Sequence, residues 1–273
     1  MEPCPAPPVT PDPASGPDAA PGGPLRLFVF PHAGGSRLTF KEWPARFPAR
    51  WRVRPVDYPG HGLLAGEPPA SDAAVVVDRL LRDLPLGPRE PPFAFFGHSM
   101  GSLIAFEFTR RLVAEGRRPP VWLGLSGCGA PRRGGPGEPS GGEPSDSEPS
   151  DSELRRRLAE LGGTPAKILD DPELWRVFAP VIRADVALVR RWRPPARPTA
   201  LPVPLSVFHG EEDTTVPAGP LERWADSSER FLGVRRFPGG HFFFLADPAP
   251  LTAHIVADVR AALHRPGERA GVR

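Results

Sequence analysis

One short segment constrains the fold of this chain more than any other, the pentapeptide Gly97-His98-Ser99-Met100-Gly101. An apolar run at 93–96 precedes it, and an amphipathic segment follows at once. A strand, a sharp turn and a helix in this order present the serine hydroxyl of a G-x-S-x-G motif above the end of a parallel strand. Gly97 and Gly101 fit because a Cβ at either position would crowd the neighbouring chain. The segment predicts a nucleophile at Ser99; the alternative, a chance match in a loop, is disfavoured by the flanking strand and helix.

Apolar segments with strand character alternate with segments of helical spacing along most of the chain. The predicted strands, besides the one at 93–96, are 25–30, 51–56, 121–125, 205–209 and 233–237. The predicted helices, besides the one after Ser99, are 40–47, 72–84 with Ser71 as its cap, 220–229 and 248–264. This alternation is typical of an α/β fold with a mostly parallel sheet, right-handed crossovers and flanking helices.

Three stretches depart from that alternation. Residues 1–24 are mostly Pro, Ala and Gly, and we predict a disordered tail because they cannot bury enough surface to offset the entropy of ordering. Residues 131–153 are of low complexity, with Glu-Pro-Ser-Asp-Ser at 143–147 and again at 148–152, which predicts a surface insertion. The helical spacing of 154–192 predicts a cap over the sheet. Residues 25–263 are therefore expected to form one domain with a helical lid.

Composition excludes several classes of function. The formal net charge is only +2, which does not indicate a nucleic-acid partner. Cys4 and Cys128 are too few for a disulfide framework or a metal cluster, and we predict neither a metal nor a cofactor. The N-terminus lacks the pattern of a secretory signal, and no stretch is long and apolar enough to span a bilayer. These features predict a cytoplasmic protein with no membrane partner.

A base and an acid for Ser99 follow later strands in the order that α/β-hydrolases use, which is serine, acid, histidine. A serine hydroxyl needs an imidazole to accept its proton, and the imidazole needs a carboxylate to orient it. Asp213 follows the predicted strand 205–209, and His241 follows 233–237. Because the carboxyl ends of parallel strands meet at one edge of the sheet, these side chains should converge there. The sequence therefore predicts an α/β-hydrolase fold with the triad Ser99, Asp213 and His241.

Each of the two partners has competitors. Glu211 or Glu212 could replace Asp213 as the acid, although Asp213 with Val216-Pro217 behind it fits the motif order better. The other histidines are less suitable. His254 lies in the last helix, His264 in the tail and His209 within a strand. His98 belongs to the serine turn and should point away from the substrate side, and His32 and His61 precede the serine.

The tetrahedral intermediate of acyl transfer needs N–H donors for its oxyanion. The backbone N–H of Met100, the residue after the nucleophile, should be one donor. The second should come from the loop after the first strand, where Ala33 is followed by Gly34-Gly35 and the glycines let the backbone approach a substrate closely. The alternative interpretation of Gly34-Gly35 is a flexible turn. We expect backbone donors at Ala33 and Met100.

Four motifs closely resemble the type II thioesterases, the stand-alone α/β-hydrolases that accompany modular polyketide and nonribosomal peptide synthases. They are Phe-Pro-His-Ala-Gly-Gly-Ser (30–36), Gly-His-Ser-Met-Gly (97–101), the segment 210–217 and Pro-Gly-Gly-His-Phe-Phe (238–243). The lid phrases at 161–165 and 180–185 are similar to that family's cap, and the resemblance extends from about residue 25 to 263. The insertion at 131–153 and His61, at a position where arginine is frequent in that family, are departures.

The resemblance implies a serine thioesterase that hydrolyses acyl groups from the phosphopantetheine arm of acyl or peptidyl carrier proteins, clearing stalled or aberrant chains. Two other functions remain open: a carboxylester hydrolase of small or lipid esters with the same triad, and a non-catalytic binding module on the same fold. A cluster of cap arginines, Arg183, Arg190, Arg191 and Arg193, is a hypothesis for docking an acidic carrier protein, and a solvated charged face is an equally good interpretation. The acyl preference and the substrate-binding residues are not indicated by the sequence.

Overall fold

The computed structural model describes residues 24–130, 149–193, 199–216 and 221–263. Within these ranges, six strands form one parallel sheet in the order β2-β1-β3-β4-β5-β6. The strands are β1 (Leu25–Phe30), β2 (Trp51–Pro55), β3 (Phe93–His98), β4 (Leu123–Ser126), β5 (Leu201–Gly210) and β6 (Ser228–Phe237). The predicted α/β architecture with a parallel sheet and flanking helices is confirmed.

The central strands are buried on both faces, which is why they are continuous apolar runs and do not alternate with polar residues. Every residue of β1 and β3 is buried. Successive side chains point to opposite faces, so Phe28 and Phe95 pack with α1 (Ala73–Asp83) and α2 (Met100–Ala114). Val29 and Phe96 pack on the other face with α6 (Ala249–Leu263). The sheet therefore lies between two hydrophobic clusters, and only the strand ends are left for chemistry.

The start of α1 differs from the prediction by one residue. Asp72, not Ser71, is the N-cap, because Asp72 has an extended backbone and its carboxylate accepts the N–H of Ala74 over 2.7 Å. The hydroxyl of Ser71 instead accepts a hydrogen bond from the guanidinium of Arg191.

The helix predicted at 40–47 is wrong. Two short 3₁₀ helices, Arg37–Phe40 and Trp43–Arg46, occupy this region. Pro44 explains the break, because it has no N–H to donate to the carbonyl of residue 40 but fits the first turn of the second 3₁₀ helix. Ser36 caps the first of these helices by accepting the N–H of Leu38.

Near the end of the sheet, the strands are longer than predicted and the helix between them is shorter. The predicted helix at 220–229 is a 3₁₀ helix, Leu221–Ser227, and β6 begins directly after it. β5 and β6 both start earlier than expected because they pair from Leu201 and Ser228 onward, where the Ser228 hydroxyl donates to the carbonyl of Val203 over 2.6 Å. β4 is displaced from the predicted 121–125 to 123–126.

Among the described residues between β4 and β5, three helices form a layer that we call the lid: α3 (Asp151–Leu161), α4 (Ala166–Asp170) and α5 (Pro172–Arg191). They share a small apolar cluster of their own, made of Leu154, Leu158, Leu169, Trp175, Ala179 and Ile182. The C-terminal end of the lid joins the main core, where the Trp192 indole N–H donates to the Glu107 carboxylate over 3.1 Å.

The first lid helix begins earlier in the chain than the predicted residue 154. α3 begins at Asp151, inside the segment predicted as an insertion, because Ser150 caps it by accepting the N–H of Glu153. Residues 1–23 of the predicted tail and residues 131–148 of the predicted insertion lie outside the described residues. In the part of the chain that the structure describes, no helix is long and apolar enough to cross a bilayer.

Candidate active site

Ser99 occupies a strained turn between β3 and α2. Its φ of 55° and ψ of −120° make it the one residue other than glycine with a positive φ in the described ranges. Such a conformation costs on the order of 1–3 kcal/mol and persists only where the surroundings enforce it. The Ser99 N–H donates to the carbonyl of Ser126, at the end of β4, over 2.7 Å. The turn therefore holds the serine at the carboxyl edge of the sheet, half-buried.

The glycines of the motif are required by close backbone contacts, as the sequence indicates. A Cβ on Gly97 would lie 2.2 Å from the Gly101 carbonyl oxygen. A Cβ on Gly101 would lie 2.0 Å from the carbonyl oxygen of Phe30, the last residue of β1. The start of α2 is thus pressed against the end of β1, which brings Met100 next to the loop that carries Ala33.

Asp213 and His241 form a buried pair. His241 Nδ1 lies 2.7 Å from Asp213 Oδ2, and both side chains are almost fully inaccessible. The loops that carry them are joined directly: the N–H of Glu212 donates to the carbonyl of Gly239, and a Cβ on Gly210 would lie 2.2 Å from the carbonyl oxygen of Gly240. The structure therefore brings together Asp213 and His241, which are distant in sequence. The orientation of each side chain is compatible with its predicted role.

Thr215 is part of this pair, although sequence reasoning missed it. Its hydroxyl and its N–H both donate to Asp213 Oδ1, over 2.6 and 2.9 Å. Burial opposes ionisation of Asp213, but the hydrogen bonds from His241 and Thr215 outweigh it and lower the pKa of the carboxyl below its usual value. A hydroxyl two residues after an aspartate is a common turn pattern, and this was the available signal.

The second ring nitrogen of His241 is left open. Nε2 is buried and has no hydrogen-bond partner among the described residues, and Ser99 Oγ does not reach it. Residues at the end of β4 approach both Ser99 and His241, however. Ser126 binds the Ser99 backbone, and a Cβ on the next residue, Gly127, would lie 3.0 Å from His241 Cε1. The strands before Ser99, Gly127, Asp213 and His241 are consecutive neighbours, β3 to β6. The serine and the imidazole thus lie at the same edge of the sheet, after β3 and β6, with the end of β4 next to both.

Two other histidines pack around His241. The His98 ring lies 4.8 Å from the His241 ring, and His32 lies 6.1 Å from His98, with Phe242 contacting all three rings. Burial lowers the pKa of His98 well below its usual value and lowers that of His32 to about 3. Both rings are therefore neutral near pH 7. They form a wall around His241 and do not compete with it for the serine proton.

The remaining histidines of the described ranges lie where they cannot serve as the base. His209 is buried within β5, as predicted, and the His254 ring packs on Phe237 from α6. His61 is also buried, and both of its ring nitrogens have acceptors: Nε2 lies 2.9 Å from Asp185 Oδ2 and Nδ1 lies 3.1 Å from the Pro59 carbonyl. His264 lies outside the described residues.

The segment 31–36 carries the predicted oxyanion donor Ala33, and we call it the oxyanion loop. It is held from both sides. The N–H of Gly35 donates to the His32 carbonyl, and Gly34 has a φ of +72°, a conformation that favours glycine. A Cβ on Gly34 would lie 3.0 Å from Ile182 of the lid. The Gly34 N–H donates to the lid carboxylate of Asp185 over 2.6 Å. The loop is therefore an ordered turn in contact with the lid.

Asp185 is a second polar side chain at this edge that the sequence did not single out. It lies on the buried face of α5, three residues from Ile182 and from Leu188, and is only 2% exposed. A carboxylate at an apolar position of an amphipathic helix is a signal that could have identified it. A further contact closes the lid over the site, since a Cβ on Gly163 would lie 2.2 Å from the ring of Phe242.

Comparisons with known proteins agree with this geometry. Residues 25–262 match the protein family described as "Thioesterase domain". The chain is 31% identical over 240 residues to the gramicidin S biosynthesis protein GrsT of Aneurinibacillus migulanus, across 88% of this chain and 90% of that protein. It is similar to the structure of RedJ, a thioesterase from the prodiginine biosynthetic pathway in Streptomyces coelicolor, at 32% identity and a TM-score of 0.73, covering 94% and 91% of the two chains. It is also similar to BorB, a type II thioesterase from the borrelidin biosynthetic cluster, at 30% identity and a TM-score of 0.70, covering 88% and 94%.

Proposed function

Since the chain belongs to the thioesterase domain family and is a hydrolase of thioester bonds, we propose that it releases acyl groups from the phosphopantetheine arm of carrier proteins. The resemblance of its motifs to the type II thioesterases is confirmed by the relatives, which include GrsT and BorB. We assign to it the clearing of stalled or aberrant chains in polyketide or nonribosomal peptide biosynthesis, in the cytoplasm.

The proposed mechanism uses the triad in two half-reactions. Ser99 Oγ attacks the thioester carbonyl while His241 Nε2 accepts its proton. The negative charge on the carbonyl oxygen is held by the N–H groups of Met100 and Ala33, and collapse of this intermediate breaks the C–S bond as His241 returns the proton to the leaving thiol. A water molecule then loses a proton to His241 and attacks the acyl-serine. The acid is released and Ser99 regains its proton, with Asp213 orienting the imidazole throughout.

One observation carries this proposal: His241 is fixed through Nδ1 by Asp213, while its buried Nε2 has no partner among the described residues. An imidazole that is oriented through Nδ1 by a carboxylate and keeps Nε2 open is the arrangement that a general base requires. Catalytic hydrogen bonds are often long before substrate binds, so we expect the bond from Ser99 Oγ to His241 Nε2 to form on substrate binding.

The experiment is to load a panel of acyl chains onto a phosphopantetheinylated carrier protein and to measure release by the wild type and by Ser99→Ala. We expect release by the wild type alone. A matched pair of substrates, one thioester and one oxygen ester of the same acyl group, separates this function from that of a carboxylester hydrolase. Absence of Ser99 labelling by a fluorophosphonate, together with absence of hydrolysis, would instead support a non-catalytic binding module.

The arginine surface proposed for docking has other contacts. Arg183 donates to the carboxylate of Asp151 and to the carbonyl of Pro149, and Arg191 donates to Ser71. Arg193 donates to the carbonyls of Arg190 and Trp192. These bonds order the lid and use part of the hydrogen-bonding capacity that a carrier protein would need. Charge reversal at Arg190 with unchanged carrier affinity and salt dependence would remove the docking hypothesis.

A further inference from the structure

Asp185 of the lid is the centre of a buried polar network. A single carboxylate oxygen, Oδ2, accepts the Gly34 N–H over 2.6 Å and lies 2.9 Å from His61 Nε2. The Asp185 and His61 side chains are each 3% exposed. The network therefore joins three parts of the chain: the oxyanion loop, the loop after β2, and helix α5 of the lid.

His61 is held as an imidazolium by its two neighbours. The Pro59 carbonyl can only accept a hydrogen bond, so Nδ1 carries a proton, and Nε2 faces a carboxylate oxygen. Burial alone would lower the pKa of His61, but the hydrogen bond and the charge of Asp185 outweigh it and raise that pKa above its usual value. The other groups that act on the ring are Tyr58, stacked edge-on, the carboxylate of Asp57, and His32, whose own pKa of about 3 leaves it uncharged.

We propose that Asp185 and His61 are positioning residues for acyl transfer, which hold the oxyanion loop so that the Ala33 N–H points at the developing oxyanion. The Gly34 N–H belongs to the peptide plane that follows Ala33, so the bond to Asp185 fixes the backbone on one side of the donor. The positive φ of Gly34 and its contact with Ile182 restrict the same peptide. His61 in turn fixes the carboxylate by neutralising its charge in the protein interior.

This arrangement couples the lid to the chemistry. The carboxylate that orients the loop is on α5, so the Gly34 N–H loses its acceptor whenever α5 moves away. The oxyanion site is then complete only while the lid is closed over a substrate. Because donors aimed at the transition state affect turnover more than ground-state binding, the network should act on kcat and leave KM nearly unchanged. This inference rests on the proposed function, in which Ala33 supplies a donor.

The test compares Asp185→Ala, Asp185→Asn, His61→Gln and His61→Arg, with Glu173→Gln as the control, because Glu173 is an exposed carboxylate on the same helix, bonded to Arg176. We expect kcat to fall about 100-fold in Asp185→Ala, as for loss of one oxyanion donor, and about tenfold in Asp185→Asn and His61→Gln. KM should change less than threefold. His61→Arg, which supplies a permanent cation, should retain more activity than His61→Gln.

The pH profile separates positioning from simple structural support. In the wild type, kcat should decline as the pH rises through the raised pKa of His61, because the imidazolium is then lost. His61→Arg should lack this alkaline decline, and His61→Gln should be low at all pH values. If all four variants lose thermal stability but keep the wild-type kcat, the positioning role is wrong.

A readout independent of turnover keeps the two proposals distinguishable. Hydrogen exchange at the Gly34 amide, corrected for intrinsic rate, should be at least tenfold faster in Asp185→Ala than in the wild type or Glu173→Gln. Should the wild type fail to cleave carrier thioesters but hydrolyse p-nitrophenyl acetate, the substrate assignment is wrong, and kcat for that ester still tests the positioning role. Should Asp185→Ala not fold, His61→Gln carries both measurements, because the carboxylate of Asp185 then loses the cation that fixes its position. Unchanged Gly34 exchange in whichever of these two variants is measured would overturn the inference.

Discussion

The described part of the chain contains two buried aspartate–histidine pairs, and they differ in which ring nitrogen meets the carboxylate. In the pair at the sheet edge, His241 turns Nδ1 to Asp213 and keeps Nε2 without a partner among the described residues. In the lid pair, His61 turns Nε2 to Asp185 and Nδ1 to the Pro59 carbonyl. The first histidine can accept a proton from a serine, whereas the second has no lone pair left to offer. Since both of these histidines have an acid partner, the unoccupied nitrogen distinguishes the base within the two pairs.

The two pairs also differ in what supports them. Asp213 and His241 follow adjacent parallel strands, so the sheet fixes their separation. Asp185 and His61 lie on a lid helix and on a loop, so their contact depends on the packing of α5. The sheet therefore fixes the first pair, whereas the position of the lid determines the second.

The largest difference should appear when each histidine is replaced by glutamine. His241→Gln should lower kcat by on the order of 10⁵–10⁶-fold, because the base is removed. His61→Gln should lower it about tenfold, because a loop loses its support. Steady-state acyl release, with Ser99→Ala as the reference for an inactive enzyme, measures both. Losses of equal size in the two variants would contradict the assignment of His241 as the base.

Replacing each of the two aspartates by asparagine should give the next largest difference in kcat between the two pairs. Asp213→Asn should lower kcat by on the order of 10⁴-fold, because an amide does not hold the imidazole in the tautomer that leaves Nε2 free to accept. Asp185→Asn keeps an oxygen that can accept the Gly34 N–H, so its loss should stay near tenfold. Circular dichroism of both variants controls for folding. A thousandfold loss in Asp185→Asn would make the lid pair part of the chemical step.

Thr215→Val tests the support of the sheet-edge pair. The change removes one hydroxyl donor to Asp213 at nearly constant volume, and we expect kcat to fall about tenfold. Since the hydroxyl helps to lower the pKa of Asp213, that pKa should rise in the variant, and stability should be lost at a higher pH as the solution is acidified. Thermal melts between pH 3 and 6 measure this shift relative to Thr215→Ser, the control that retains the hydroxyl.

The smallest effect should be the contribution of the lid pair to the pH dependence of stability. Its sign is opposite to that of Asp213, because this stability is lost as the pH rises. The folded-state pKa of His61 is raised above 6.5, so its contribution is complete below pH 6.5 and is lost as the pH rises through the folded value. Urea unfolding of the wild type should therefore show a decline in the free energy of unfolding on the alkaline side. His61→Arg should not show this decline. A decline of the same size in that variant would assign it to other groups.

The triad was accessible from the sequence because each member comes a few residues after a recognisable strand. The parallel topology then determines that Ser99, Asp213 and His241 meet at one edge, and the close backbone contacts of Gly97 and Gly101 explain why the motif is readable at all. The roles of these residues, and those of Ala33 and Met100, stay predictions until the variants are measured. The parallel sheet and the enclosing helices followed from the alternation of apolar segments, whereas the order of the strands did not.

The lid pair could not be predicted in the same way. His61 and Asp185 belong to different elements that meet only through the packing of α5, and no local pattern sets that packing. The helix expected at 40–47 failed for the opposite reason: one proline outweighed a segment with suitable apolar spacing. The early starts of β5 and β6 depend on their pairing with each other, which propensity does not encode.

The apolar cluster that α3, α4 and α5 share has an evolutionary consequence. The lid has this cluster of its own and meets the serine side through contacts such as Asp185 with Gly34 and Gly163 with Phe242. The lid sequence can therefore change as one unit. Selection can then reshape the room available for an acyl chain by rewriting one contiguous stretch of gene, while the reactive edge beneath it is inherited unaltered.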